Sequence, residues 1–264
     1  MTAPAPFTAL VLAGRRTADD PVARACGVSH KVMARVAGRP MLARVLDALA
    51  ASRAVGRVLV CTDDAVALAP FLPPGVETVA AAASPARSIL AAADTLSEPW
   101  PLLVTTADHP LLTAEMVDHF CGGTRAADAD VTAGLAPARV IRAAYPDTRR
   151  TYLRFRDDGY SGCNLFAVTR PAGLAAIRFW IRVERERKRP WRLVRAFGPV
   201  TLALFLTRRL TLEAAMRRAS RVVGARAAAI VMPFAEASMD VDKPDDLAIA
   251  ETVLAARADV PPAP

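Results

Sequence analysis

The run Thr8-Ala9-Leu10-Val11-Leu12-Ala13-Gly14-Arg15-Arg16 decides how the rest of the chain is read. Thr8 to Ala13 is a first strand, and it ends in a glycine followed by two arginines. A strand that delivers a glycine turn at its carboxyl end exposes backbone N–H groups where α/β sheets bind ligands, and nearby Arg and Lys can neutralise phosphate. A polyphosphate suits such a loop, although a glycine after a strand is also an ordinary turn. The stretch is neither a Walker P-loop, which needs G-x-x-x-x-G-K-[ST], nor a dinucleotide G-x-G-x-x-G. A polar loop then runs to His30-Lys31, and Gly38-Arg39-Pro40-Met41-Leu42 opens a helix whose apolar positions Met41, Val45, Leu46 and Leu49 share one face.

The same alternation continues outward. Arg57 to Thr62 and Val76 to Ala80 read as strands, Ser84 to Leu96 as a helix led by a serine cap, and Leu102 to Thr106 as a strand covered on both faces. Thr113 caps the next helix, Asp130 to Leu135 is another strand, and Thr151 to Phe155 with Cys163 to Val168 around Asp157-Asp158-Gly159 forms a hairpin. Helices broken at Pro190 and Pro199 follow, then a strand at Arg226 to Met232 and a last helix from Pro244 to about Arg257. Strands alternating with helices predict an α/β fold around a mostly parallel sheet.

The 264 residues carry a formal charge of +8, unevenly spread. Residues 170–226 hold 15 of the 34 Lys and Arg but three of the 26 Asp and Glu, a net of +12, which leaves −4 elsewhere. A uniformly basic coat for nucleic acid is excluded, so no nucleic-acid partner is expected. The four cysteines lie far apart with no C-x-x-C pair, as in a reduced cytoplasmic protein. No basic segment followed by an apolar one marks the N-terminus as an export signal, and the apolar run Phe197 to Thr207 is about half of the ~20 residues a bilayer span needs.

Two further constellations bear on chemistry. Thr105-Thr106-Ala107-Asp108-His109-Pro110 places an acid just past a buried strand, where it can hold Mg²⁺ over phosphates or simply cap a turn. In Met239-Asp240-Val241-Asp242-Lys243-Pro244, alternation puts Asp240 and Asp242 on one side of an extended segment, so both can meet one cation; a solvated turn has the same look. Asp245 and Asp246 fall in the first turn of the last helix and complement its dipole.

Taken in this order, the three segments resemble the MobA-like NTP transferases, nucleotidyltransferases with a glycosyltransferase-A-like fold that include the molybdenum-cofactor guanylyltransferases and sugar-phosphate nucleotidyltransferases. The resemblance implies a single Rossmann-like three-layer domain over residues 1–257, with 170–226 as a basic helical insertion and 258–264 as a flexible tail. It implies Leu12, Ala13, Gly14 and Arg16 at the nucleotide, with Lys31, Arg15 and Asp108 catalytic. Mg²⁺ is the implied cofactor on Asp108 and Asp242, with Asp240 beside them. Ser88 matches a base- and ribose-contacting serine, or is only a polar residue in a first helical turn. Two departures stand out: Arg15 replaces a second glycine, and His30 replaces a proline before the lysine. His30 is therefore read as structural or loop-exposed, and His109 and His119 lack the spacing of metal ligands.

The implied reaction moves a nucleoside monophosphate from a nucleoside triphosphate to a small phosphorylated acceptor (sugar, polyol or lipid headgroup) with release of pyrophosphate. Acceptor recognition is expected mid-chain, where Arg149, Arg150, Tyr152 and Arg154 precede Tyr160-Ser161-Gly162-Cys163-Asn164. Asn164, Ser161 and Arg154 are the acceptor candidates, while Ser161-Gly162 reads equally as a turn. The basic block interleaves arginines with Phe179, Trp180 and Trp191, which suits either a packed helical insertion or peripheral contact through 178–209 with an anionic membrane, on its cytoplasmic face. The other readings are a nucleotide-sugar glycosyltransferase, for which Asp240-Val241-Asp242 would be the metal motif, and a membrane-surface binding protein without catalysis.

Overall fold

Period-two alternation along β1 (Phe7–Leu12) sends Ala9 and Val11 into one core and Leu10 into another, so both faces of the strand are covered. The computed structural model describes residues 4–15, 19–148, 150–186 and 197–258. After β1 come the short helix α1 (Pro21–Ala25) and a two-stranded ribbon, β2 (Arg35–Val36) and β3 (Arg39–Pro40), turned at Gly38 with φ +75°. Helix α2 (Met41–Ala51), strand β4 (Val55–Thr62), helix α3 (Ala65–Leu68), strand β5 (Glu77–Ala80) and helix α4 (Pro85–Thr95) complete the first half. Then follow β6 (Leu102–Thr106), α5 (Ala114–Ala126), β7 (Val131–Pro137), α6 (Ala138–Ala144) and the hairpin of β8 (Leu153–Arg154) and β9 (Gly159–Val168). Helices α7 (Leu174–Glu186), α8 (Pro199–Leu206) and α9 (Leu212–Val223), strand β10 (Ala227–Val231) and helix α10 (Pro244–Ala258) close the chain.

The described residues build an eight-stranded sheet in the order β10-β7-β9-β6-β1-β4-β5, with β8 beside β9. All neighbours run parallel except β9, which lies antiparallel between β6 and β7. The α/β fold with a mostly parallel central sheet is thus as expected. One core packs α2 and α5 on the sheet through Leu42, Val45, Leu49, Val117 and Phe120. The second packs α4 and α7 on the opposite face through Ile89, Ala92, Leu174 and Ile177. A smaller third core ties α10 to α1 and the ribbon through Val253, Val22 and Val36.

Local expectations hold to within a few residues at strand ends, and both caps are present: Ser84 Oγ accepts from Arg87 N at 3.4 Å and Thr113 Oγ1 from Met116 N at 3.3 Å. The hairpin needs correction. Its first strand is two residues rather than five, and its second begins at Gly159 rather than Cys163, because β9 is held along its length by β6 and β7 while β8 pairs only through Leu153 and Arg154. Pro199 starts a helix, and the expected break at Pro190 lies outside the described residues. The basic block leaves and re-enters the sheet at one point: Asp130 takes Arg170 Nε at 3.1 Å and Arg226 N at 2.7 Å, and Asp128 pairs with both arginines.

Gly173, just past β9, touches that junction. A Cβ there would lie 2.2 Å from the Asp130 carbonyl oxygen, which already accepts Thr169 N at 3.0 Å. Gly173→Ala is expected to destabilise the fold by about 3 kcal/mol or more, since backbone rather than a pliable side chain must move. The urea midpoint measures it, and an unchanged midpoint would mean the junction yields freely.

Candidate active site

Three parallel strands end side by side at one edge of the sheet, the edge where ligands bind in open α/β folds. β1 delivers Ala13 and Gly14, β4 delivers Asp63, and β6 delivers Asp108. At Gly14 a Cβ would sit 3.2 Å from Ala81 Cβ and 3.9 Å from Asp63 Oδ1, so a side chain here would narrow the crevice between β1 and β5. Arg15 turns toward β4: its backbone N and its Nε reach the two Asp63 oxygens at 3.0 and 2.7 Å. Burial pushes the Asp63 carboxyl up, but the hydrogen bonds from Arg15 outweigh it and hold the group below its ordinary value. Arg16 lies outside the described residues.

His30 takes the structural half of its expectation. It is buried, its Nδ1 shares a 2.9 Å hydrogen bond with Ser29 Oγ, and its Nε2 sits 3.9 Å from Asp63 Oδ1. It anchors the loop that presents Lys31. The Lys31 Nζ lies 2.6 Å from Asp108 Oδ2 and 3.1 Å from Asp242 Oδ1, with the Lys31 and Asp108 side chains 16% and 11% exposed. Burial alone would depress the Lys31 amine, but Asp108 and then Asp242 reverse the sign and hold it above its usual value, so it stays charged. The closing segment is pinned to the same strand end, because Val241 N donates to the Asp108 carbonyl at 2.9 Å. His109, next in sequence, is wholly buried, bonds the Glu236 carbonyl at 3.0 Å, and is pushed toward the neutral form chiefly by desolvation.

Asp240 and Asp242 do not share a partner. Asp242 faces Lys31, whereas Asp240 takes Asn164 Nδ2 at 3.0 Å and Arg150 Nη1 at 3.3 Å; the same Arg150 nitrogen donates to the Ser238 carbonyl. Asn164 sits at φ +50°, beside the register shift between β7 and β9, which is how an amide within a strand comes to face the closing segment. A groove of about 1030 Å³ runs from here, lined by Arg150, Ser161, Asn164, Asp240 and Asp242 among others. Arg154 stands exposed on β8, away from that lining. Ser88 is buried and spends its hydroxyl accepting from Ala82 N at 2.9 Å, so what it offers a ligand is the placement of the Ala81–Ala82 backbone.

Among the described residues, no three His, Cys, Asp or Glu side chains gather as an all-protein metal cage. Two carboxylate oxygens around one ammonium do suit Mg²⁺, which binds through one or two carboxylates and takes its other ligands from phosphate and water.

The sequence of residues 9–200 matches the MobA-like NTP transferase domain. The chain belongs to that family. This MobA-like chain is also 30% identical to a hypothetical transferase from Thermus thermophilus, with a TM-score of 0.79 over 92% of its own length and 100% of that structure. It shares its fold with a CMP:2-keto-3-deoxy-manno-octonic acid synthetase complexed with CTP (TM-score 0.59, 12% identity, 96% and 100% of the two chains). The same holds for a 4-diphosphocytidyl-2C-methyl-D-erythritol synthase from Anaerococcus prevotii (TM-score 0.59, 10% identity, 95% and 96%). No curated protein matches its sequence. One residue of the candidate site, Asp63, and one contact, Arg150 with Asp240, lie beyond the sequence reading of this MobA-like chain. Asp63 follows β4 as Asp108 follows β6, and applying the same rule to Arg57 to Thr62 finds it; the junction of Arg150 with Asp240 has no local signal, being a contact across 90 residues.

Proposed function

We propose that the chain transfers a nucleoside monophosphate from a nucleoside triphosphate to a small phosphorylated acceptor and releases pyrophosphate. The observation that carries this reading is the buried Lys31 to Asp108 contact, beside a groove bearing Arg150 and Asn164. The Ala13–Gly14 turn and the Ala81–Ala82 backbone flank the crevice for base and ribose. Lys31 then lies at the triphosphate, and the acceptor phosphate reaches it from the groove. An acceptor oxygen bonds to the α-phosphorus while the bond from that phosphorus to the bridging oxygen of the β-phosphate breaks, and the electron pair leaves with pyrophosphate. The acceptor phosphate is already ionised near pH 7, so no side chain has to remove a proton. Lys31 stabilises charge gathering on the leaving phosphates. Mg²⁺, held by Asp108 and Asp242, would supply divalent charge against the triphosphate oxygens, while Asp240 holds Asn164 and Arg150. Arg15, bound to Asp63, shapes the nucleotide loop.

The direct test incubates the full chain with each NTP, Mg²⁺ and a panel of phosphorylated sugars, polyols and amino alcohols, reading pyrophosphate and product mass. Release with one base and one acceptor is the expected result; none with any pair, or transfer only from a nucleotide sugar, defeats the reading. Asn164→Gly keeps the positive φ but deletes the amide. It is expected to raise the acceptor KM about tenfold and leave the NTP KM unchanged, whereas an equal rise in both would place Asn164 at the nucleotide.

A further inference from the structure

Helix α8, Pro199-Val-Thr-Leu-Ala-Leu-Phe-Leu206, has no polar face: its single polar side chain, Thr201, is the buried one, bonded to the Phe197 carbonyl and to Arg218. Val200 is 63% exposed and Leu206 69% exposed, and the next residues after Thr207 are the exposed Arg208 and Arg209. An apolar helix turned outward beside a cationic C-terminal end is costly in water and fits the boundary between acyl chains and anionic headgroups. Among the described residues no helix is long and apolar enough to cross a membrane, so the contact would be a lying one. The face continues onto the hairpin. Phe205 packs edge-on to Phe155 at 5.6 Å, Phe155 packs on Tyr160 at 6.0 Å, Arg156 N donates to the Leu210 carbonyl at 2.8 Å, and Leu153 beside them is 52% exposed.

We infer that α8, with Arg208, Arg209 and the tip of the hairpin, is a docking surface for an anionic lipid bilayer. The exposed Arg208 and Arg209 complement such a surface, within a segment, residues 170–226, whose formal charge is +12. Tyr160 joins the docking face to the acceptor groove that it also lines, so docking sets the groove mouth beside the headgroups. This inference stands apart from the transfer reaction and is tested without it.

The full chain is floated with phosphatidylcholine vesicles, with and without about a third phosphatidylglycerol. It is expected to rise only with the anionic vesicles and to fall back in 0.5 M salt. Val200→Glu with Leu206→Glu should abolish flotation without lowering the melting temperature. Arg208→Gln with Arg209→Gln should weaken partitioning roughly 25-fold, about fivefold for each charge lost. Absence of flotation, equal flotation with neutral vesicles, or retention by the double Glu variant overturns the inference. So does a dimer of the parent chain that the double Glu variant dissolves, since the face would then be covered by a second copy.

Discussion

Asp108→Asn is expected to lower pyrophosphate release about a thousandfold while leaving the fold in place. The side chain is nearly isosteric, and the backbone that it rides on keeps its tie to Val241 through the carbonyl. An amide oxygen can still accept from Lys31, so the 2.6 Å contact loses its charge rather than its geometry. What disappears is the negative group that β6 delivers into the crevice, and with it the proposed anchor for divalent charge. Binding of nucleotide in the presence of Mg²⁺ should weaken, and nucleotide alone much less. Saturating assays with a melting curve on the same preparation separate the two. A fall of less than about tenfold, with the melting temperature held, would remove Asp108 from the chemistry.

The fold was readable where periodicity reports burial. Leu102 to Thr106 is apolar without a break because β6 is covered on both faces, and Ala9, Leu10 and Val11 divide between two cores for the same reason. Residues just past such strands were readable too, since their chain direction places Gly14 and Asp108 at one edge. Partners were not. Lys31 and Asp242 are 211 residues apart and meet where the closing segment returns beside Asp108, tied there by Val241 N on the Asp108 carbonyl. Asn164 has a strand-like neighbourhood on both sides, and its positive φ arises from the misfit between β7 and β9 rather than from its own sequence. For Arg15, which the resemblance makes catalytic, the ion pair with Asp63 one strand over has no signal in its own segment. Helix α6 leaves no boundary signal in the sequence, since Pro137 both ends β7 and caps the helix that follows. Residues 170–226 looked foreign to the body by charge, yet α7 buries Leu174 and Ile177 in the core under α4, and Arg170 and Arg226 both close on the Asp128 and Asp130 carboxylates.

Lys31→Met should separate two roles that one ammonium now fills. Met matches the stem in length and packs where the stem packs, so Val32 and the loop anchored by His30 are expected to stay. Transfer should fall about a hundredfold to a thousandfold, because charge building on the leaving phosphates loses a nearby cation. Divalent binding in the absence of nucleotide should move the other way. Asp108 Oδ2 and Asp242 Oδ1 now share Nζ at 2.6 and 3.1 Å, and once Nζ is gone their negative charge favours a metal ion in its place. A thermal shift titration with Mg²⁺ should therefore show a larger stabilisation for the variant than for the parent. The sign of the pH effect also follows. The folded amine titrates above its unfolded value of 10.5, so its ion pairs contribute in full below that pH and are lost as pH rises through the folded value. The stability gap between parent and variant should stay constant from neutrality to about pH 10 and shrink beyond it. If the gap instead opened on acidification, or if Mg²⁺ stabilised both proteins alike, Lys31 would have to be facing something other than these two carboxylates in solution.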